Sequence, residues 1–97
     1  MAPYSFHETA RVEFDEAADY YDGEHRGLGL LFIDAVSGAV IQIRKFPESC
    51  AVLRGRNRAK PVHGFPYSVI YSFVDGHVRV LAIAHNRRRP FYWSGRR

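Results

Sequence analysis

The sequence predicts an α+β domain, an N-terminal antiparallel helical hairpin packed on a small, mainly antiparallel β-sheet. Three observations lead there. Two apolar patterns of helical period follow each other directly in the first half of the chain, the period changes to alternation after Pro47, and Asp75-Gly76 joins two strand-like runs. Helices and strands are grouped rather than interleaved, so no βαβ unit is expected and the two layers are one helical pair and one sheet. At 97 residues the chain makes a single domain, 1–97, with 46% hydrophobic and 14% aromatic residues, a composition that excludes disorder.

The elements follow in order. Tyr4-Ser5-Phe6 alternates and is short, as an edge strand leading into a helix would be. Ala10, Phe14, Ala17 and Tyr21 then recur every three or four residues, with Glu13, Asp15, Glu16 and Asp19 on other faces, predicting a helix over about Glu8 to Asp22 with Gly23 just beyond its end. After a short connector, Leu28, Leu31, Phe32, Ala35, Val36, Ala39, Val40, Ile43 and Phe46 form one wide apolar stripe expected to face the core, and Pro47 stops that helix. Cys50 to Arg54 and Ala59 to His63 read as short strands about a Gly55-Arg56-Asn57 turn. Phe65-Pro66 starts a longer strand, Tyr67 to Val74, and Asp75-Gly76 has type I′ turn chemistry that folds Val78 to Ala84 back antiparallel.

Charge is segregated along this plan. Residues 1–48 hold four Lys/Arg and nine Asp/Glu, whereas residues 49–97 hold ten Lys/Arg and Asp75 alone. One basic face is therefore expected, suited to phosphate or to an acidic protein surface. Cys50 is the single cysteine, which excludes an internal disulfide and fits a reducing, cytoplasmic compartment. The start MAPYSFHE lacks the pattern of a signal peptide, Asp34 interrupts the longest apolar run, and no membrane contact is expected.

The last strand and its tail, VRVLAIAHNRRRPFYW, deliver a histidine, three arginines and three aromatics to one place. Arg54, Arg56, Arg58 and Lys60 alternate along the first hairpin, so those lying in strands are expected on one face of the sheet. Such a row is either a solvated strand face or a phosphate-binding row. The company of Arg87, Arg88 and Arg89 at the end of the same sheet favours binding. His85 has the chemistry of a general base or acid near neutrality, against the plainer reading of a hydrogen-bonding residue at a strand end. His63 and His77 have weaker claims, the histidine and cysteine positions match no zinc pattern, and no metal or cofactor is inferred. Of the tail aromatics, Trp93 is expected to pin the tail to the core, leaving Tyr92 available to a ligand.

The segments FHETARVEFDEAADYY, GLGLLFIDAV, IRKFP, VHGFPYSVIY and VRVLAIAHNRRRPFYW, in this order and spacing, resemble the RelE/ParE superfamily of bacterial type II toxin–antitoxin toxins over nearly the whole chain. The resemblance implies the RelE/ParE toxin fold and a growth-inhibiting toxin that is neutralised by a cognate antitoxin in a hetero-oligomer. Its two branches imply different targets. ParE-like members poison DNA gyrase and need no catalytic residue of their own, while RelE-like members cleave mRNA on the ribosome. In the second branch the work would fall to Arg87 or Arg88, to Tyr92 and to His85 as base, with Arg58 and Lys60 holding phosphate. The middle strands carry arginines, which are poor proton shuttles. The FPY strand start and the HNRRRPFYW ending look closer to ParE-like and plasmid-stabilisation members, so gyrase is the expected target and ribosome-dependent mRNA cleavage the alternative. A non-catalytic nucleic-acid-binding module is a second alternative.

Overall fold

The alternating segment Tyr4–Phe6 does form a strand, β1, and it opens a computed structural model that describes residues 1–97. Two helices follow, α1 (Glu8–Glu24) and α2 (Leu28–Lys45), then β2 (Val52–Arg54), β3 (Asn57–Pro61), β4 (Tyr67–Val74) and β5 (His77–His85). The five strands make one sheet in the order β1-β5-β4-β3-β2. All neighbours are antiparallel except β1, which runs parallel to β5 with Tyr4 opposite Val78 and Phe6 opposite Val80.

The helical hairpin is made by close approach. The Asp22 carboxylate, near the end of α1, accepts the N–H groups of Gly27 and Gly29 at 3.0 and 3.3 Å and so caps the start of α2. A Cβ on Gly29 would lie 2.6 Å from the Ala18 carbonyl oxygen, so only glycine lets the helices meet there. The first helix runs two residues past the expected end, taking in Gly23, and closes where the His25 N–H bonds the Tyr21 carbonyl. On α2 the stripe is narrower than its periodicity implies. Phe32, Val36, Ala39, Val40 and Ile43 are buried, whereas Leu31 and Phe46, the residue that ends the helix, are each 59% exposed.

Both faces of the sheet are covered. Val69, Tyr71, Val78, Val80 and Ile83 pack under the helices in the main core, and Ile70, Leu81, Ala82 and Ala84 pack on the opposite face against Trp93. Burial of Trp93 (4% exposed) meets the expectation that it pins the tail. A bulge supports this second cluster. Ile70 faces Ala82 and Tyr71 faces Val80, so Leu81 has no opposite residue and both Leu81 and Ala82 turn toward the tail. Asp75 and Gly76 have φ of 52° and 74°, the two left-handed residues of a type I′ turn. The first hairpin is tighter than expected: its loop is Gly55-Arg56, and Asn57 and Arg58 belong to β3 while Cys50, Val62 and His63 lie outside the strands.

Candidate target-binding surface

Where β1 stops, the edge of β5 is open, and side chains close it. The His7 N–H takes the Val80 carbonyl at 2.8 Å, the last main-chain bond on that side. Beyond it, the Glu13 carboxylate accepts the Ile83 N–H at 3.2 Å and an Arg96 nitrogen donates to the Leu81 carbonyl at 3.1 Å, so an acid and a base stand in for a missing strand. Arg96 also grips Glu13 with two nitrogens at 2.8 and 3.1 Å, the Tyr92 hydroxyl donates to it at 2.9 Å, and Arg88 lies 3.6 Å away. This one carboxylate ties the tail to α1.

That arrangement changes the standing of Tyr92. Its hydroxyl is not free for a ligand, contrary to expectation, because the tail folds back past it to bring Arg96 to the same acid. Burial, then the hydrogen bond to Glu13 and that residue's negative charge, push the phenol up to about 12, with Arg88 and Arg96 pulling in the other direction. The Arg88 guanidinium sits 3.9 Å from the centre of the Tyr92 ring.

His85 looks the other way. It pairs across the sheet with Tyr67, and the two rings meet edge to face at 5.0 Å. Tyr67 belongs to an aromatic group with Tyr21, Phe32 and Phe65 under the helices, at centroid distances of 5.0 to 6.1 Å. The His85 Nδ1 accepts the Arg87 N–H at 3.1 Å, which in the neutral ring leaves Nε2 as the protonated nitrogen and occupies the lone pair a general base would use. His85 and Tyr92 thus have separate partners and are not joined into one proton-transfer pair.

The basic row of the first hairpin is split between the two faces. Arg58 and Lys60 stand opposite Tyr71 and Val69, both in the core beneath the helices, so they face the helical layer. There Arg58 donates to the carbonyls of Glu48 and Cys50, and Lys60 borders a groove with Asp34, Gln42 and His63. Arg54 pairs with Asn57, which faces the tail side through Ser72 and Arg79, and its guanidinium lies 4.6 Å from the Phe91 ring centre. Arg56 is in the loop, beside Arg96 and Arg97. The cause is the turn itself: across a two-residue loop Arg54 pairs with Asn57 and so shares its face, which breaks the parity that simple alternation assumes.

What remains on the tail side is a groove of about 250 Å³. Its floor is apolar, from Leu53, Ala59, Ile70 and Ala84, and its rim carries Arg88 and Arg89 with the exposed edge of Phe91. Arg54, Arg87 and Arg89 have no carboxylate partner among the ion pairs. Such a surface holds an anion or an acidic peptide by charge and an apolar or aromatic group by contact. No group of three or more His, Cys, Asp or Glu is arranged to hold a metal ion, and no helix is long and apolar enough to cross a membrane.

Three residues outside the sequence expectations organise this region: Glu13, Arg96 and Arg79. Arg79 donates to the Ser5 hydroxyl and the Phe6 carbonyl at 3.0 and 2.9 Å, while Ser5 also meets His77 Nε2 at 2.9 Å, so His77 belongs to the fastening of β1. Glu13 did carry a signal. It lies three residues after Ala10 and four before Ala17, both buried, which puts an acid on the inner arc of α1 where it needs a partner.

Comparisons with known proteins agree with this architecture. The model of a family described as the ParE toxin of the type II toxin–antitoxin system parDE matches residues 4–90. A solved structure titled as the chromosomal ParDE TA system from P. aeruginosa superimposes with a TM-score of 0.76, covering 88% of this chain and 96% of that one at 15% identity, a likeness of fold. No curated protein matches the sequence significantly.

Proposed function

The chain belongs to the ParE toxin family of type II toxin–antitoxin systems, and from that premise we propose that it inhibits bacterial growth by binding DNA gyrase and that a cognate antitoxin neutralises it in a hetero-oligomer. Gyrase as target places its action in the cytoplasm. The supporting observation is the division of labour among the tail side chains. Tyr92 and Arg88 are held by Glu13, and His85 by Arg87 and Tyr67, while Arg54, Arg87 and Arg89 face solvent without acid partners. Groups that would have to move protons in RNA cleavage are engaged in holding the fold, and the cations left over are suited to gripping a macromolecule.

On this reading Arg54, Arg87 and Arg89 contact the target, with Arg56 at the margin, and Arg58, Lys60 and Arg88 contribute field and shape. The test is to add purified protein in parallel to a gyrase supercoiling reaction and to a translating ribosome extract. Loss of supercoiling with intact mRNA is expected, and reversal of Arg87 and Arg89 to Glu is expected to weaken it without unfolding. Cleaved mRNA with undisturbed gyrase activity refutes the proposal, as does normal growth and DNA replication on induced expression without the antitoxin.

A further inference from the structure

The helical hairpin is tight at one end and open at the other. Next to its turn, Gly29 lets α2 press on the Ala18 carbonyl, whereas at the end where α1 begins and α2 finishes a cavity of about 290 Å³ lies between the two helices and β1. Its floor is apolar, from the buried Phe14, Val36 and Val40. Tyr4 and Phe6 line it from β1, and Ile41 from the flank of α2. The rings of Phe6 and Phe14 stack at 6.0 Å with 20° between their planes, which gives the cavity a flat aromatic side.

Two cations border this space, one from each helix. The Arg11 guanidinium lies 5.5 Å from the centre of the Phe14 ring and 6.0 Å from that of Phe6, and the Arg44 guanidinium lies 4.5 Å from the Tyr4 ring centre. Arg44 is further held by its Nε, which donates to the Ala2 carbonyl at 2.8 Å. These contacts fix where the charges sit, so less side-chain freedom is lost when a ligand arrives. The two Nη groups of Arg44 have no carboxylate partner, and Arg11 meets only Asp15 at 3.5 Å, in a pair more than half exposed on both sides and therefore weak. No Asp or Glu lines the cavity, and the Ser37 hydroxyl is its one uncharged polar group besides the Tyr4 phenol.

We propose that this cavity binds a small amphipathic carboxylate, one aromatic ring or branched alkyl group carrying a single acid. The apolar part enters against Phe6, Phe14 and Val40, and the carboxylate takes guanidinium nitrogens from Arg44 and Arg11. Size selects a free small molecule. A volume of about 290 Å³ holds one ring and a short chain, at the lower bound of ligand pockets, whereas a peptide helix is about 10 Å across and does not enter. A bound acid would join β1 to both helices. None of the lining residues belongs to the tail-side surface offered to the target, so the inference stands apart from the proposed function.

The experiment uses the whole chain, isotope-labelled for NMR and titrated with hydrocinnamate. Hydrocinnamamide, acetate and a blocked glutamyl-phenylalanine dipeptide are titrated in parallel. Saturable shifts at residues 4–6, 11–14 and 36–44, with ring-to-methyl Overhauser contacts to Val40, are expected for hydrocinnamate at a Kd of about 1 mM. The amide lacks the charge and acetate lacks the ring, so each should bind at least about ten-fold more weakly. Arg44→Met keeps the stem over Tyr4 and should weaken the acid about ten-fold while leaving the amide unchanged, a difference that a merely structural role would not produce. Ser37→Phe, at an exposed position of α2, should fill the cavity and abolish binding with unchanged circular dichroism. The proposal is overturned if the amide or acetate binds as tightly as hydrocinnamate, if the shifts fall instead on the tail at Arg87 and Arg89, if the dipeptide alone binds, or if nothing binds at about 10 mM.

Discussion

Replacing Glu13 by alanine is expected to cost more stability than any other single surface-directed change in this fold. The side chain is 11% exposed and its main partner Arg96 is 16% exposed. The substitution removes two short bonds from Arg96, one from the Tyr92 hydroxyl and one from the Ile83 N–H. Breaking a mostly buried ion pair by deleting one partner costs about 3–5 kcal/mol, because the other charge is left desolvated, and the orphaned Ile83 N–H belongs within that range. For a chain of this length, whose total stability is on the order of 5–15 kcal/mol, the loss would remove a large share. Glu13→Gln keeps an acceptor for Ile83 but gives up the charge, and about half the loss is expected. Urea denaturation followed by Trp93 fluorescence and by far-ultraviolet circular dichroism measures both, since Trp93 is the single tryptophan and reports the tail. A double-mutant cycle with Arg96→Ala isolates the pair, with a coupling of about 1.5–3 kcal/mol expected. A loss below about 1 kcal/mol for Glu13→Ala, or additive single changes, would refute the claim that this carboxylate fastens the tail and closes the β5 edge.

Other outcomes follow from single contacts. Gly29→Ala should destabilise by about 1–3 kcal/mol, since its Cβ would press on the Ala18 carbonyl and on Asp22, whereas Gly38→Ala, with open space around it in the middle of α2, should stabilise by about 0.5–1 kcal/mol; thermal melts of the two variants check the pair. Tyr92 holds its proton more tightly folded than unfolded, so its contribution to stability is complete below its ordinary value of 10.0 and is lost as pH rises toward about 12. Ultraviolet titration of the tyrosines should therefore show a late step that Tyr92→Phe removes, and stability of the parent should fall over the same interval.

How far the sequence discloses this fold depends on the range of each interaction. The β4–β5 hairpin is legible because its cause is local: Asp75 and Gly76 both tolerate positive φ, and the flanking residues alternate. The helices are legible because burial repeats with their own period. The parallel pairing of β1 with β5 has no local signature, since it joins Tyr4 to Val78 across the whole domain. Glu13 is legible as an acid on the inner arc of α1 but its partner is not, as Arg96 is 83 positions away. The row from Arg54 to Lys60 misleads through parity: the two-residue loop pairs Arg54 with Asn57, so Arg54 goes to one face and Arg58 to the other.

The same distinction bears on the basic half of the chain, which composition alone presents as ten equivalent cations. Arg96 is consumed by Glu13, Arg79 by Ser5 and Phe6, Arg58 by two carbonyls, and Arg88 is shared between Glu13 and the Tyr92 ring. These four hold the structure together, because a fold whose sheet edges and tail are fastened by side chains needs donors for carbonyls and partners for its buried acid. The cations with no such duty are Arg54, Arg56, Lys60, Arg87, Arg89 and Arg97, and they do not form one face. Arg89 borders the tail-side groove, Arg54 lies over the Phe91 ring, Lys60 borders the opposite groove, and Arg56 is in the loop between. A partner that answered all of this charge would have to pass around the β2 edge, touching both faces of the sheet, and a flexible chain can do that where a rigid duplex cannot. On the proposed function, the distribution of unspent charge therefore favours a flexible polypeptide over a rigid duplex as the ligand of the hairpin.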